Sequence, residues 1–450
     1  MVTLRERSVW TRGLVLGALV LGTVPAFAQD APPPLPDSGD TAWMLMATGL
    51  VLFMTIPGLS LFYAGLVRRK NVLSVLMQCF AITGVVTLLW ILFGYSATFA
   101  TGGMEAGKAG VAAFIGNPLE KFFLLPVTRS SVVGTIPESV FVVYQLTFAI
   151  ITPALIIGAF AERMKFSAML IFSAVWTTFS YFPVAHMSWG GAGGFLYDRG
   201  MLDFAGGVVV HTNAGIAALI ACIMVGKRTG YPERPMPPHN LTMAVTGAGM
   251  LWVGWFGFNA GSALSAGQSA GYAMLVTHSA GAVAAVVWMG IEWVKLGKPS
   301  ALGIITGAVA GLAAVTPAAG STGLPGALLI GVVSSVACFF AATSLKRWLG
   351  YDDTLDAFGV HGVGGILGTL LTGVACQQAW GGVGFGPGVS SVGGQLAAQL
   401  LGIGVTMVLS GVVSVVTLKA LDMTIGLRVN GNDEEEGLDL SQHGEDGYVF

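Results

Sequence analysis

Two histidines, His211 and His361, stand inside long apolar stretches with no lysine, arginine or ligand-spaced cysteine beside them. An ionisable side chain in such a stretch is costly to place and usually faces a cavity or a partner. The missing ligands disfavour a metal, which leaves two imidazoles that could hydrogen-bond each other. A neutral ring offers one donor and one acceptor, so a pair can line a narrow apolar passage and hand on hydrogen bonds or protons without net charge. The alternative is that each is a packing histidine bonded to a backbone carbonyl, a common kind of contact between membrane helices. His186 and His278 fall near outer boundaries of apolar runs, and His239 and His443 in polar segments, so these four read as interfacial or solvated.

Two carboxylates and a set of rings complete the candidates. Asp203 and Asp356 lie at the beginnings of apolar runs, where a carboxylate accepts hydrogen bonds from unpaired amides and complements the helix dipole. Direct proton transfer is the other role open to them, and near a mouth either would also attract a cation. Phe148, Trp189 and the run LWVGWFGFNAGS over residues 251–262 put aromatic faces and the Ser262 hydroxyl in or beside apolar runs. Aromatic faces hold small cations through their quadrupole, by about 2 kcal/mol or more when water is excluded. Such a site suits a compact cation with N–H donors, although Trp252 and Phe256 read better as belt or core aromatics.

The elements that must position these groups are membrane spans. Only 10% of the chain is charged and 54% is apolar, whereas a soluble domain carries roughly 25% charged residues. Gly, at 65 residues, suits close helix packing in lipid, where small residues let backbones approach. Apolar runs of about 20 residues predict spans over 41–66, 73–99, 139–161, 167–185, 206–225, 241–263, 271–294, 301–318, 326–345, 359–377 and 393–424. The expected fold is an all-α polytopic membrane protein of eleven transmembrane helices. The breaks on one side carry Arg68, Arg69, Lys70, Arg163, Lys165, Lys227, Arg228 and further basic residues as far as Arg428. Those opposite carry only Lys108, Lys121, Arg129 and Arg199. The positive-inside rule then places the N-terminus outside and the C-terminus in the cytoplasm.

Two five-span halves, 41–225 and 241–377, each end in an aspartate followed by a glycine-rich, histidine-bearing run: DFAGGVVVH from Asp203 and DAFGVH from Asp356. An odd span count makes such halves inverted repeats, with the functional site at their interface. Ahead of the first span, Arg5, Arg7 and Arg12, an apolar run over 13–24 and the residues AFA at 26–28 read as a signal peptide over residues 1–28, an uncleaved first anchor being the alternative. Residues 29–40 then form a short periplasmic tail. Cys79, Cys222, Cys338 and Cys376 stand singly and read as packing residues, so neither a metal site nor a disulfide framework is expected. No nucleophile–base pair, nucleotide-binding glycine loop or metal triad points to an enzyme.

The runs GLVRRKNVL (65–73), AERMKF (161–166), DFAGGVVVHTN (203–213), GWFGFNAGS (254–262) and FGVHG (358–362) resemble the ammonium transporter (Amt) family, in matching order and spacing from about Ala42 to the C-terminus. The resemblance implies a homotrimer in the lipid bilayer, each protomer with its own pore between two inverted halves, no cofactor and no nucleic acid. It matches Phe148, Trp189 and Ser262 to an outer site that recruits ammonium. Phe148 and Phe258 match the gate below that site, His211 and His361 the pore pair, and Asp203 the vestibule aspartate. Trp255 and Thr316 match further wall positions. One departure is Tyr144, beside Gln145, where many relatives carry phenylalanine; it adds a hydroxyl to the recruitment site.

The implied mechanism is recruitment of ammonium or methylammonium, deprotonation, passage of ammonia along the imidazoles and reprotonation inside, with the domain over residues 41–425. The segment 426–450, with GLRV (426–429), DEEE (433–436) and GLDLSQHGE (437–445), reads from composition as a disordered acidic end. The resemblance implies instead a cytoplasmic regulatory tail and docking of a PII-type signalling protein. Uptake of a nitrogen source across a bacterial inner membrane is the leading expectation. A neutral gas channel and an ammonium sensor are the competing classes.

Overall fold

The structure, a computed structural model, describes residues 35–448; the signal peptide and residues 29–34 of the short periplasmic segment expected before the first span lie outside the described residues. Eleven helices among those residues are long and apolar enough to cross a membrane. They are α1 (Ser38–Leu66), α2 (Arg69–Phe99), α3 (Glu138–Phe160), α4 (Phe166–Trp189), α5 (Gly207–Val225), α6 (Leu241–Ala260), α7 (Gln268–Leu296), α8 (Ala301–Ala318), α9 (Leu324–Leu349), α10 (Phe358–Ala375) and α11 (Val392–Thr424). These match the eleven expected spans, with ends moved by a few residues because capping groups rather than hydropathy set where a helix starts. Asp37, Asn240, Ser300 and Ser391 each accept an amide proton at an N-terminus.

α3 is buried along almost its whole length, with Tyr144, Phe148, Ala154 and Ile157 near zero exposure, so it forms the centre of the bundle. α5 and α10 are five spans apart and therefore run in opposite directions. They cross at glycine: a Cβ on Gly215 would lie 2.2 Å from the Gly362 Cα, and one on Gly365 would lie 2.8 Å from the His211 Cβ. No larger residue permits that approach, and the approach brings the two histidines into one space. Both histidines sit in single π-helical turns, Gly207–Thr212 and Phe358–Gly362, and Phe258 sits in a third, Phe256–Ala260. Such turns rotate side chains out of the α-helical register and occur often at functional sites.

One face of the bundle is tied by a buried ionic knot. Glu162 accepts from the Arg68 amide and guanidinium (2.7 and 3.0 Å), from Asn71 (3.0 Å) and from Arg228 (2.9 Å), and Arg228 also meets Asp352 at 2.8 Å. Burial works against a charged Glu162, but the two guanidinium groups prevail and hold its carboxyl below the ordinary value.

The chain after α11 joins this face. Arg428 pairs with Met164 as an isolated bridge, and two short helices follow, α12 (Gly431–Glu436) and α13 (Leu438–His443). The Leu438 amide donates to Asn71 (2.8 Å), and the Ser74 amide at the head of α2 donates to Asp439 (2.7 Å). His239 and His443, expected to be solvated, are instead partly buried. The His239 ring lies 2.9 Å from the Val67 carbonyl and 3.0 Å from the Tyr448 hydroxyl, and His443 packs edge-on against Phe166. Docking of the tail brings Tyr448 to His239 and His443 to Phe166, which composition could not reveal.

Glu434 is the buried anchor of the tail, accepting from Arg428 at 2.6 Å and from the Thr229 amide at 2.7 Å. Glu434→Ala leaves Arg428 Nη2 and the Thr229 amide without their acceptor, while Arg428 Nη1 keeps the Lys227 carbonyl, a loss of roughly 2–3 kcal/mol. The expected outcome is faster trypsin cleavage at Lys419 or Arg428 in the folded protein, read by mass spectrometry.

Candidate functional site

Two cavities enter the bundle from opposite faces, called outer and inner after the orientation that the basic breaks predict. The outer one, about 360 Å3, is lined by Phe148, Trp189, Ser262, Gln145, Ser188 and Asp203 among others. The inner one, about 260 Å3, has His361 on its wall with Asp356, Thr354, Trp288 and Arg228. Between them a constriction of about 10 Å3 is lined by His211, His361, Trp255, Phe258, Phe62, Met54 and aliphatic side chains.

The outer cavity ends on stacked rings. Phe148 meets Trp189 edge-on at 5.8 Å and lies 4.3 Å from Phe258, a ring pair that separates the cavity from the constriction. The Trp189 indole N–H donates to the Asp203 carbonyl (2.8 Å), which fixes the ring at the cavity wall. The Ser262 hydroxyl donates to the Phe258 carbonyl (2.8 Å), leaving its oxygen to accept. Tyr144 departs from expectation. It is fully buried behind this wall and does not line the cavity, and its hydroxyl lies 3.1 Å from the Gly257 and Phe258 carbonyls and 3.2 Å from Ser262. A buried phenol must find an acceptor, and the Gly257 and Phe258 carbonyls in the π turn of α6 provide it.

Below the rings the two imidazoles stack at 5.2 Å with planes 14° apart, Nδ1 to Nδ1 at 3.3 Å. One Nδ1 donates and the other accepts, so the rings form a pair carrying one bridging proton. His211 Nε2 is buried with no protein partner, and the ring stacks on Trp255 (5.7 Å) and Phe258 (6.1 Å). Trp255 is held in turn by its N–H on the Thr316 hydroxyl (3.0 Å). The packing alternative for the histidines, a bond from each ring to a backbone carbonyl, is not what this geometry contains.

The carboxylates divide differently from the sequence reading. Asp203 caps α5 with both oxygens: Oδ1 accepts from Gly206 and Gly207 (2.9 and 2.6 Å), and Oδ2 from Val208 and Val209 (2.8 and 3.0 Å). Burial pushes its carboxyl above the ordinary value, and the four amides work against that shift. Asp356 does not cap α10. It has φ +58° and pairs with Lys346 at 2.5 Å, and the cap is Asp353, accepting from Ala357 (3.0 Å) and Phe358 (2.8 Å). Asp203 and Asp353 each stand eight positions before their histidine, so the matched pair in the two halves is Asp203 with Asp353. Sequence reasoning missed it because Asp352, Asp353 and Asp356 crowd one loop, although the equal spacing was the signal.

Burial and the neighbouring Asp356 push Asp353 up to about 7. An unfolded aspartate titrates near pH 3.9, so the folded state holds this proton more tightly. The stability this contributes is full below about pH 4 and is lost as pH rises toward 7. Thermal scans from pH 5 to 8 should therefore show a downward trend in midpoint that Asp353→Asn flattens.

His186 and His278 also differ from expectation. His186 is fully buried near the outer end of α4, its Nδ1 2.9 Å from the Thr98 carbonyl and its Nε2 2.8 Å from that of Ala112, so it ties two segments rather than meeting solvent. His278 lies ten residues into α7, roughly 15 Å from its start, exposed on the outside of the bundle against Trp252 and Phe256. The four cysteines are buried and unpaired, and no group of metal-ligating side chains occurs among the described residues.

Comparison with known proteins agrees with this architecture. Residues 42–448 match the family model described as Ammonium Transporter Family. The chain is 44% identical to an ammonium transporter of Aquifex aeolicus over 97% of its length and 99% of that protein. It is 45% identical to a putative ammonium transporter of Methanothermobacter thermautotrophicus, over 92% and 98%. Among solved structures it is similar to a Sensor Amt Protein (TM-score 0.81, 28% identity, covering 90% of this chain and 98% of that one). It is similar also to Candida albicans Mep2 (TM-score 0.79, 34% identity, 88% of each). With eleven spans, two opposed cavities and a match over almost its entire length, the chain belongs to the ammonium transporter family, a multi-pass membrane transporter of ammonium rather than an enzyme.

Proposed function

We propose that ammonium is recruited in the outer cavity, sheds its proton at the ring pair, and crosses the constriction as ammonia along the twin histidines. The observation that carries this is the stacked imidazole pair, Nδ1 to Nδ1 at 3.3 Å, on the wall of a constriction too narrow and apolar for a hydrated cation. Phe148, Trp189 and the Ser262 hydroxyl supply the recruitment site: ring faces stabilise a cation and the hydroxyl accepts one N–H. Phe148 and Phe258 act as the gate, and His211 and His361 as the pore pair. A bare cation is expensive to move through apolar surroundings, so ammonia and the proton cross separately: the proton is passed along the imidazole pair and rejoins ammonia in the inner cavity, which moves one net charge per ammonium. Asp203, Trp255 and Thr316 position these groups. Tyr144 holds the Ser262 loop rather than touching the substrate, and methylammonium follows the same route.

The basic breaks and the tail lie on one face, joined by contacts such as Lys165 N–H to the Leu427 carbonyl (2.9 Å) and Thr229 to Glu434. With the positive-inside rule this supports a cytoplasmic C-terminus and an outer N-terminus in a bacterial inner membrane, after loss of residues 1–28. The protein works as a homotrimer, and segment 426–450 is a regulatory tail that couples the pore to a PII-type signalling protein. A sensing role added to transport is a second reading, favoured by the docked tail and the likeness to a Sensor Amt Protein. Deleting residues 426–450 separates the two: intact flux with lost signalling supports it.

The deciding experiment is a concentration jump of ammonium or methylammonium across proteoliposomes holding the purified full chain. Saturable current supports recruitment of the cation. Fast ammonia permeation with no current makes the protein a gas channel and overturns the proposal.

A further inference from the structure

One hydroxyl on the wall of the outer cavity has no protein partner. Of the three serines that line this cavity, Ser262 donates to the Phe258 carbonyl (2.8 Å) and Ser321 to the Ala318 carbonyl (3.3 Å). Ser188 is only 7% exposed, and its buried hydroxyl meets no donor or acceptor of the chain. Even the Val184 carbonyl, four residues back and the usual acceptor for a serine in a helix, is not engaged. Buried hydroxyls are nearly always paired, so one left open beside a cavity calls for an occupant that brings the missing partner.

Ser188 is well placed to meet a cation there. It is the penultimate residue of α4, and the side chains around it in that turn are fixed. The Trp189 indole is held by the Asp203 carbonyl (2.8 Å), and the His186 ring lies between the carbonyls of Thr98 and Ala112 (2.9 and 2.8 Å). A serine turns about one bond only, so aiming its oxygen costs little side-chain entropy. The carboxylate on the same wall is already spent, since four amides take both oxygens of Asp203. Ser262 displays the arrangement that Ser188 can copy: its proton goes to the carbonyl four residues back, and its oxygen stays free for an incoming donor.

We propose that Ser188 is a second hydroxyl of the recruitment site, accepting one N–H of the bound ammonium while its own proton turns to the Val184 carbonyl. The assignment rests on recruitment of the cation in this cavity, as proposed above. Ring faces attract a cation without satisfying its N–H groups one by one, whereas a hydroxyl oxygen accepts a single directed, charge-assisted bond. Ser188 therefore sets how tightly the outer cavity holds ammonium, and leaves the crossing of the constriction to the rings and imidazoles below.

The test is the concentration dependence of the ammonium current in proteoliposomes holding the full chain, for wild type, Ser188→Ala and Ser188→Thr. Ser188→Ala should raise the half-saturating ammonium concentration by roughly tenfold, the effect of losing one hydrogen bond to a charged group, with a much smaller change in the saturating current. Its thermal midpoint should not fall, because the hydroxyl has no protein partner to lose. Ser188→Thr keeps the hydroxyl and should return half-saturation toward the wild-type value. If wild type and Ser188→Ala saturate at the same concentration, the assignment is overturned while recruitment stands. A lowered midpoint and saturating current at unchanged half-saturation makes Ser188 a packing residue, which overturns it as well. A wild-type current that does not saturate overturns recruitment itself, and the assignment with it.

Discussion

Replacing His211 or His361 by alanine should lower the saturable ammonium current of reconstituted protein by on the order of tenfold or more, the effect of adding ~1.4 kcal/mol to a barrier. The constriction offers a crossing molecule few polar contacts besides these rings: its lining is otherwise Trp255, Phe258, Phe62, Met54 and aliphatic side chains. Each imidazole also satisfies the other, so removing one leaves a buried nitrogen without its partner, a penalty of roughly 1–3 kcal/mol. The hole left by the ring admits water, and water lowers the barrier to bare cations. A potassium current should therefore appear in the variants as the ammonium current falls, and the ratio of the two currents under matched gradients measures it. Retention of full ammonium current with no potassium leak in both variants would reduce the histidines to packing.

Asp203→Ala carries the largest expected effect on stability. Its carboxylate takes four consecutive amides, from Gly206 to Val209, in a site with 8% of the residue exposed. Leaving those donors buried and unpaired should destabilise the protein by roughly 3–5 kcal/mol, read as a lowered midpoint in thermal denaturation of detergent-solubilised protein. Asp203→Asn keeps one accepting oxygen and should fall between. Because the π turn that follows holds His211, transport should fail in step with the fold. If Asp203→Ala keeps the wild-type midpoint yet loses current, the carboxylate acts on the proton rather than on the helix.

The carboxylates show how far spacing can be read. Asp203, isolated at the head of α5, was legible from its position before a glycine-rich run. Its counterpart was not, because three aspartates share the loop before α10 and sequence proximity favoured Asp356. Which of the three turns toward the helix amides depends on the φ of +58° at Asp356 and on Lys346 drawing that side chain away. Tyr144 is a similar case. The resemblance put its hydroxyl in the recruitment site, but the phenol turns to the Gly257 and Phe258 carbonyls of the α6 π turn.

The sequence by itself determined the class, the eleven spans, the sidedness of the basic breaks and the candidate histidines, since all of these follow from local hydropathy and charge that no tertiary contact can reverse. Only the tertiary structure decided that the two imidazoles touch, that Asp353 is the second cap, that His186 is buried between two carbonyls, and that the acidic tail folds onto the face it follows. Each of those depends on a close crossing or a freed backbone group contributed by a segment far away in the chain. A glycine opposite a glycine at Gly215 and Gly362 is invisible to any window of residues, yet it is what sets the distance between the histidines.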